Sequence, residues 1–148
     1  MSPSLVYSGG ARATPAVDLS DLATRFFHGQ DRLKGPFPPE LLSPQYRAEI
    51  VGFPPMDAAG HAEFGRAFYT GFPDIKHNVD EMIVAGDRVI VRFTAKGTHT
   101  GSFVGIPATG RQVEIPAFVI LTVQNDRVAR LQAIFDQLGL MKLGVVPA

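Results

Sequence analysis

The sequence contains no cysteine and no tryptophan in 148 residues. Without cysteine there are no disulfides, thiolate nucleophiles or thiolate metal ligands, as is typical of proteins in a reducing compartment. Fourteen basic residues balance fourteen acidic ones, so the net charge of zero creates no field that attracts nucleic acid or acidic lipid. No apolar run approaches the ~20 residues that span a bilayer. The first residues, M-S-P-S-L-V-Y-S-G-G-A-R, lack the pattern of a signal peptide. We therefore expect a cytoplasmic protein that binds neither nucleic acid nor membranes.

Metal-binding and phosphate-binding motifs are also missing. The four histidines and the acidic residues show no spacing such as H-x-H or H-E-x-x-H, so we expect no metal site. The glycine-rich segment 105–110 lacks the Lys-Ser/Thr pair of a P-loop, which favours simple turns.

The composition predicts one globular domain with a substantial core, since 45% of the residues are hydrophobic and 19% are charged. Residues 1–16 are rich in Ser, Gly, Pro and Ala, and we expect them to form a flexible N-terminal arm in front of a single domain over 17–148. Two helices are predicted. One covers residues 18–30, with Asp18 or Ser20 as its cap and Gly29 near its end, and the other covers 58–71.

The prolines between residues 34 and 55 predict a connector with a short helical turn at 40–42. After Pro73 the apolar period changes from helical to two, which predicts strands near 77–84 and 89–96 and a final hairpin over 113–136. Helices followed by an antiparallel meander indicate an α+β fold with the helices on one face of a curved sheet.

The last strand ends at Asp136, which shares a strand face with Ile134, Gln132 and Arg130. These residues alone favour a solvent-facing polar stripe, and a carboxylate at the mouth of a cavity is the alternative. In the second case Gln132 could hydrogen-bond a carbonyl or enolate oxygen. Arg130 is expected at the rim or in water.

Three further polar residues are candidates for a site. Arg92 interrupts an apolar strand, and it either pairs with a buried carboxylate such as Asp136 or lies on the outer face. His99 is expected to fix a loop by a hydrogen bond, with ligand contact as the alternative. His77 shares a face with Val79 and Ile83, which favours a half-buried structural histidine over a base.

Eleven phenylalanines predict a core or ligand pocket built from plain aromatic rings. Phe118 and Tyr69 are the aromatic side chains that we expect to contact a ligand. The final hairpin has apolar residues on both faces, for example Phe118 and Ile120 against Leu121 and Val123. The helices can cover only one of these faces. The second apolar face therefore predicts a homodimer or a higher homo-oligomer.

Several motifs occur together in residues 58–144: F-P-D, A-G-D-R-V, G-T-H-x-G-x-F-x-G-I-P-x-T-G and, near the end, D-x-L-G. In this order they resemble the SnoaL-like polyketide cyclases, also called ester cyclases. The resemblance implies the NTF2-like fold, a cone in which a strongly curved antiparallel or mixed sheet wrapped by helices encloses an apolar pocket. It also implies a small apolar or polyketide-like ligand, and ring closure by intramolecular aldol chemistry without metal or cofactor.

The resemblance places Asp136 in that pocket as the general acid/base, where loss of hydration would raise its pKa. Gln132 is then a second catalytic candidate, and Arg92, His99, His77, Phe118 and Tyr69 become substrate contacts. The family's histidine on the preceding strand is replaced here by the sequence A-F-V-I at 117–120. Three functions follow: a cyclase or isomerase acting on an enolisable carbonyl compound, an epoxide-opening hydrolase, or a non-catalytic binding or dimerisation module.

Overall fold

The computed structural model describes residues 6–7, 17–142 and 144. In this part of the chain three helices and a short 3-10 turn, Pro39–Leu41, accompany one six-stranded sheet with the order β1-β3-β4-β5-β6-β2. The strands are β1 Val6–Tyr7, β2 Leu42–Ile50, β3 Lys76–Ala85, β4 Arg88–Thr98, β5 Gln112–Gln124 and β6 Arg127–Phe135. The helices are α1 Leu19–Leu33, α2 Ala58–Gly71 and α3 Gln137–Lys142. The predicted α+β class is confirmed.

The two long helices begin where their caps predict. The Asp18 side chain accepts hydrogen bonds from the backbone N–H groups of Ser20 and Asp21 at 2.9 and 3.2 Å, and α2 has the predicted bounds. However, α1 runs past Gly29 to Leu33. A Cβ at Gly29 would lie 2.2 Å from a Pro38 side-chain carbon, so this glycine allows close packing and does not end the helix. The predicted end at residue 30 was wrong.

The prediction of a connector before α2 was also wrong in part, because residues 42–50 form an edge strand parallel to β6. Pro44 lies inside a register shift between Leu42 and Arg47. Proline is tolerated on edge strands and at bulges, since its missing N–H group breaks no ladder there. Every second residue in the second half of this strand is buried, namely Tyr46, Ala48 and Ile50, which is the periodicity of a strand.

The two predicted hairpins are confirmed, with β3 paired to β4 and β5 paired to β6 in antiparallel fashion. The β5–β6 turn places Asn125 and Asp126 at φ 52° and 62°, the left-handed backbone of a tight two-residue hairpin. Buried residues alternate along β5 and define the inner face of the sheet: Val113, Ile115, Ala117, Val119, Leu121 and Val123.

Two residues of the predicted N-terminal arm are described. Val6 and Tyr7 pair in parallel with Val84 and Ala85 of β3. Residues 1–5 and 8–16 lie outside the described residues. Within the described part of the chain, no helix combines the length and the apolar character needed to cross a membrane.

Candidate functional site

A cavity of about 100 Å³ lies between the helices and the inner face of the sheet. Its wall is largely apolar and includes Phe27, Phe37, Phe64, Phe68, Phe93 and Phe135. Polar side chains also line it: Gln30, His61, Tyr69 and His77. A volume of this order suits a single small ring. The arrangement is a largely apolar cavity with a few polar groups, as in small-molecule sites.

Two of these polar side chains, Tyr69 and His77, are held by a carboxylate behind the wall. Asp31, in the last turn of α1, accepts hydrogen bonds from the Tyr69 hydroxyl at 2.5 Å and from the His77 backbone N–H at 2.8 Å. The His77 Nδ1 atom lies 2.6 Å from Asp31 Oδ1. The side chains of Asp31 and His77 are each only 11% exposed. Helix α1, helix α2 and strand β3 therefore meet at a single carboxylate.

The charge of this carboxylate is stabilised in spite of its burial. Burial by itself raises the pKa of Asp31, but the hydrogen bonds and charge of His77, together with the Tyr69 hydroxyl, lower it below its usual range. Burial and the Asp31 carboxylate raise the pKa of Tyr69, so its hydroxyl keeps its proton. An ionised Asp31 only accepts hydrogen bonds, so Nδ1 of His77 must carry a proton and donate it.

The second ring nitrogen of His77, Nε2, makes no hydrogen bond to a described residue. This atom is not fully buried. The ring packs against Phe93 and Phe27 at centroid distances of 4.7 and 5.6 Å. In neutral His77 this nitrogen carries a lone pair and can accept a proton.

A second histidine lines the same cavity from α2. His61 is 5% exposed, and its Nδ1 atom lies 2.9 Å from the hydroxyl of buried Tyr46. Burial lowers the pKa of His61 to about 4. Its imidazole is therefore neutral at physiological pH.

The neutrality of His61 makes the protein less stable in mild acid. Between pH 6.5 and about 4 the unfolded chain protonates this residue and the folded chain does not. Stability should therefore fall as the pH falls through this window, by roughly 3 kcal/mol in total at about 1.4 kcal/mol per pH unit. Urea unfolding at pH 7 and pH 4 measures the loss.

The matched variants are His61→Gln and His28→Gln, since His28 is an exposed histidine on α1. The His61 variant should lose most of the pH dependence in this window, whereas the His28 variant should keep it. Equal pH dependence in the wild type and the His61 variant would show that His61 is not the buried neutral group. Asp31 acts in a lower window, because a lowered carboxylate pKa loses its stabilising effect only as the pH falls below the ordinary value of 3.8.

Asp136 does not lie where the resemblance placed it. The residue is exposed, is absent from the lining of the cavity, and accepts the Gly139 N–H at 2.8 Å through Oδ1. It therefore caps the start of α3. Its neighbour Phe135 lines the cavity instead. The expectation of a carboxylate at the centre of an apolar pocket was wrong, and the predicted catalytic role of Asp136 has no support from its position.

Strand parity explains the position of three predicted residues. Ala117 and Val119 face the core, so Phe118 between them points outward and is 55% exposed. Phe118 pairs with Ile134 and Ile120 pairs with Gln132, so Gln132 shares that outer face. Gln132 and Phe118 border a shallow depression there, on the opposite side of the sheet from the cavity. The structure does not bring either residue to the cavity.

Arg92 lies on the outer face as well. Its Nε atom is 3.3 Å from Glu81 Oε1, its Nη1 atom is 3.6 Å from Asp80, and its side chain is 41% exposed. The partners of Arg92 are therefore its neighbours on β3, not Asp136. Arg130 pairs with Glu49 of β2 at 2.7 Å, in the partly exposed position expected for it.

His99 has a structural position. It is fully buried, and its Nδ1 atom contacts the Thr109 hydroxyl and backbone N–H at 2.9 and 3.2 Å. Its own backbone bonds to Arg111 and Gly110, which ties the end of β4 to the following loop. The expected loop-fixing hydrogen bond is confirmed, and His99 is not among the residues that line the cavity.

Of the predicted site residues, the structure brings Tyr69 and His77 together at the cavity. Asp31 and His61 were not predicted, although the helix patterns contain a signal for both. Asp31 follows Phe27 by four residues and continues the buried stripe of α1. His61 precedes Phe64 and Gly65 by three and four residues on the buried face of α2. A polar residue in an apolar helix stripe is the signal that identifies both.

A second apolar cavity, of about 340 Å³, adjoins the first. The two share Phe64, Phe68 and Phe135 in their walls. The second is also bordered by Phe103, Leu140 and Met141. It offers room for an apolar group larger than the first cavity, called the inner cavity below, can hold.

Comparisons with known proteins agree with this architecture. No curated protein sequence matches the chain. Among solved structures, a proposed SnoaL-like polyketide cyclase from Jannaschia sp. CCS1 aligns with a TM-score of 0.74 at 21% identity, covering 93% of this chain and all of that one. AclR, a proposed hydroxylase from Streptomyces galilaeus, aligns with a TM-score of 0.75 at 23% identity over 87% of this chain and 86% of its own. IdmH, a proposed polyketide cyclase from Streptomyces antibioticus, aligns with a TM-score of 0.72 at 26% identity over 85% of this chain and 98% of its own.

The structural matches confirm the NTF2-like fold predicted from the resemblance. The family model of the SnoaL-like polyketide cyclases matches residues 39–142, which is well over half of the chain. That span contains both cavity histidines and Tyr69, while Asp31 precedes it. The chain is thus a member of the SnoaL-like polyketide cyclase family.

Proposed function

We propose that this protein is a cofactor-independent cyclase or isomerase that moves a proton at a carbon next to a carbonyl group, with His77 as the general base. One observation carries the proposal: His77 lines an apolar cavity with Nδ1 fixed by a buried carboxylate and Nε2 unpartnered among the described residues. A base held in this way needs no rearrangement before it accepts a proton.

The roles of the neighbouring groups follow from their contacts. His77 Nε2 takes the α-proton of the substrate, and the electron pair of the broken C–H bond moves to the carbonyl oxygen. Asp31 balances the charge of the resulting imidazolium through the Nδ1–H hydrogen bond, and Tyr69 and the backbone of His77 hold Asp31 in place. Asp31 and Tyr69 are therefore positioning residues. Return of the proton to another carbon completes an isomerisation. In ring closure the enolate carbon bonds to the carbon of a second carbonyl group, the π electrons of that C=O bond move to its oxygen, and this oxygen takes the proton from His77.

The largely apolar walls of the two cavities favour a substrate that is mostly hydrocarbon. The inner cavity of about 100 Å³ holds little more than the reacting ring, and the adjoining 340 Å³ accepts the remaining hydrocarbon part. A polyketide-like compound with an enolisable carbonyl group fits this description. The name of IdmH, a proposed polyketide cyclase, agrees with such a substrate.

An epoxide-opening enzyme is less well supported. That reaction was expected to need a pocket carboxylate paired with arginine, and the described residues that line the inner cavity include neither a carboxylate nor an arginine. A binding module without catalysis keeps the same cavity and differs only in having no turnover. Activity therefore has to be measured directly.

The test is exchange of the α-protons of cyclohexanone in deuterated buffer, followed by NMR. This ketone is small enough for the inner cavity, and its uncatalysed exchange near neutral pH is slow. The wild-type protein should accelerate the exchange with saturation kinetics. Saturable binding of the ketone without any acceleration would instead show a binding module and remove the catalytic proposal.

We further propose that the protein forms a homodimer through the outer face of its sheet. Apolar side chains there are exposed without cover from the described residues: Phe118 is 55% exposed and Ile134 is 50% exposed, beside half-buried Ile120. A contiguous patch of this kind is uncommon on a monomer. The ion pairs of Arg92 and Arg130 lie on the same face.

The Phe118→Lys variant places a charge in the middle of this patch and should convert the dimer to a monomer. Light scattering at micromolar concentration measures the mass of both proteins. The matched control is Val104→Lys, because Val104 is similarly exposed, at 58%, but lies in the loop after β4. A wild-type monomer at that concentration would refute the proposed dimer.

A further inference from the structure

His61 is a buried polar residue that the proton transfer to His77 does not use. It lies on α2, 5% exposed, among aromatic rings: Phe37 at 5.1 Å, Phe64 at 6.1 Å and Tyr46 at 6.0 Å between centroids. It also lines the inner cavity. A neutral imidazole in such a place still has one donor and one acceptor nitrogen, and a buried group of this kind needs partners for both.

The contact with Tyr46 determines which nitrogen carries the proton. The Tyr46 hydroxyl is buried. Among the described residues, its only hydrogen-bond partner is His61 Nδ1, at 2.9 Å. Burial raises the pKa of Tyr46, so the hydroxyl keeps its proton and donates it to Nδ1. The opposite direction would leave the buried hydroxyl hydrogen without an acceptor. Nδ1 of His61 is therefore an acceptor, and the ring proton lies on Nε2.

The two cavity histidines consequently have opposite tautomers. In His77 the carboxylate of Asp31 holds the proton on Nδ1 and leaves the lone pair on Nε2. In His61 the proton is on Nε2, which has no partner among the described residues and is not fully buried. The two histidines that line the cavity thus offer one nitrogen that accepts a proton and another that donates a hydrogen bond. The two rings are linked through Phe27 and Phe37, which pack at 6.3 Å.

We propose that His61 binds the carbonyl oxygen of the substrate through its Nε2–H group and stabilises the negative charge that develops there. This inference rests on the proposed function, which it deepens: the ligand must present a carbonyl oxygen to α2 and an α-carbon to β3. When His77 removes the α-proton, the electron pair moves to the oxygen, and the hydrogen bond from His61 becomes stronger. A neutral donor suits this task because it leaves the proton with the enzyme.

The first experiment needs no activity. Ring-¹⁵N NMR of the wild-type protein at pH 7 should show His61 protonated at Nε2 and His77 protonated at Nδ1. Cyclohexanone labelled with ¹³C at its carbonyl should shift downfield on binding, since a hydrogen bond polarises the C=O group. His77→Gln should keep this shift, whereas the double variant His61→Phe/Tyr46→Phe should lose it. Replacing both partners leaves no buried hydroxyl without an acceptor, so this variant should remain folded.

The second experiment uses the α-proton exchange assay. The double variant should lose about a hundred- to a thousand-fold in kcat with little change in KM, the size typical for removal of one oxyanion donor. His61→Gln, whose amide can donate, should recover part of the rate.

The same tautomer in both histidines, or an unchanged carbonyl shift in the double variant, would overturn the role of His61. Failure of the ketone to bind would do the same. A wild-type protein that shifts the carbonyl signal but does not exchange protons would refute the catalytic function alone and support the oxygen site.

Discussion

Replacing His77 by glutamine should slow α-proton exchange by about a hundred- to ten-thousand-fold, the usual contribution of a general base. Glutamine can still donate a hydrogen bond to Asp31, so the cavity keeps its shape and loses only the proton acceptor at Nε2. The effect should appear in kcat, while the binding of cyclohexanone stays close to that of the wild type. Exchange rates and melting temperatures measured side by side separate loss of chemistry from loss of folding.

Two matched variants make this result specific. His28→Gln is the same substitution at an exposed position on α1, and Asp136→Asn removes the carboxylate that caps α3. Both should keep the wild-type exchange rate within a few-fold. If Asp136→Asn loses the activity while His77→Gln keeps it, the acid/base predicted from the family resemblance is correct and His77 has only a structural role.

The second large effect is on stability, and it concerns Asp31. Replacing it by alanine leaves the Tyr69 hydroxyl, the His77 backbone N–H and His77 Nδ1 without their acceptor. An unsatisfied buried polar group costs about 1–3 kcal/mol, and three donors lose their acceptor in this variant. We therefore expect a loss of roughly 3–5 kcal/mol in the free energy of unfolding, measured by urea denaturation at pH 7.

The control for this variant is Asp21→Ala on the same helix. Asp21 pairs with Arg25 at 2.9 Å, but the two side chains are 62% and 51% exposed. Exposed pairs of this kind contribute about 0–1 kcal/mol. A similar small loss in both variants would mean that the Asp31 cluster does not link α1, α2 and β3 in the folded protein.

Much of the fold could be predicted because it follows from local patterns. The apolar stripes of α1 and α2 and the alternation of β3 to β6 appear in the sequence with nearly correct bounds. Strand β2 was missed because Pro44 obscured the alternation of Tyr46, Ala48 and Ile50, and its partner β6 is distant in sequence. Gly29 was predicted to end α1 because its close contact with Pro38 is a tertiary contact that the local sequence does not show.

The site was harder to predict, and Asp136 shows why. Its strand face, shared with Gln132 and Ile134, correctly indicated an outward position, and the family resemblance then reversed this conclusion. For His77, the half-buried position predicted from its strand face was correct. Its partner Asp31, however, lies 46 residues earlier in the chain. No spacing rule links two such residues. What the sequence does show is that Asp31 and His61 occupy apolar stripe positions of their helices.

The most direct test of the central claim is a crystal structure with cyclohexane-1,3-dione, a small cyclic diketone whose enolate resembles the intermediate of proton removal. The proposed site predicts the ring in the inner cavity, with its central carbon against His77 Nε2 and an oxygen bonded to His61 Nε2. A diketone bound beside Asp136 and Gln132, with the inner cavity unchanged, would contradict the assignment of His77 and His61 as the functional groups.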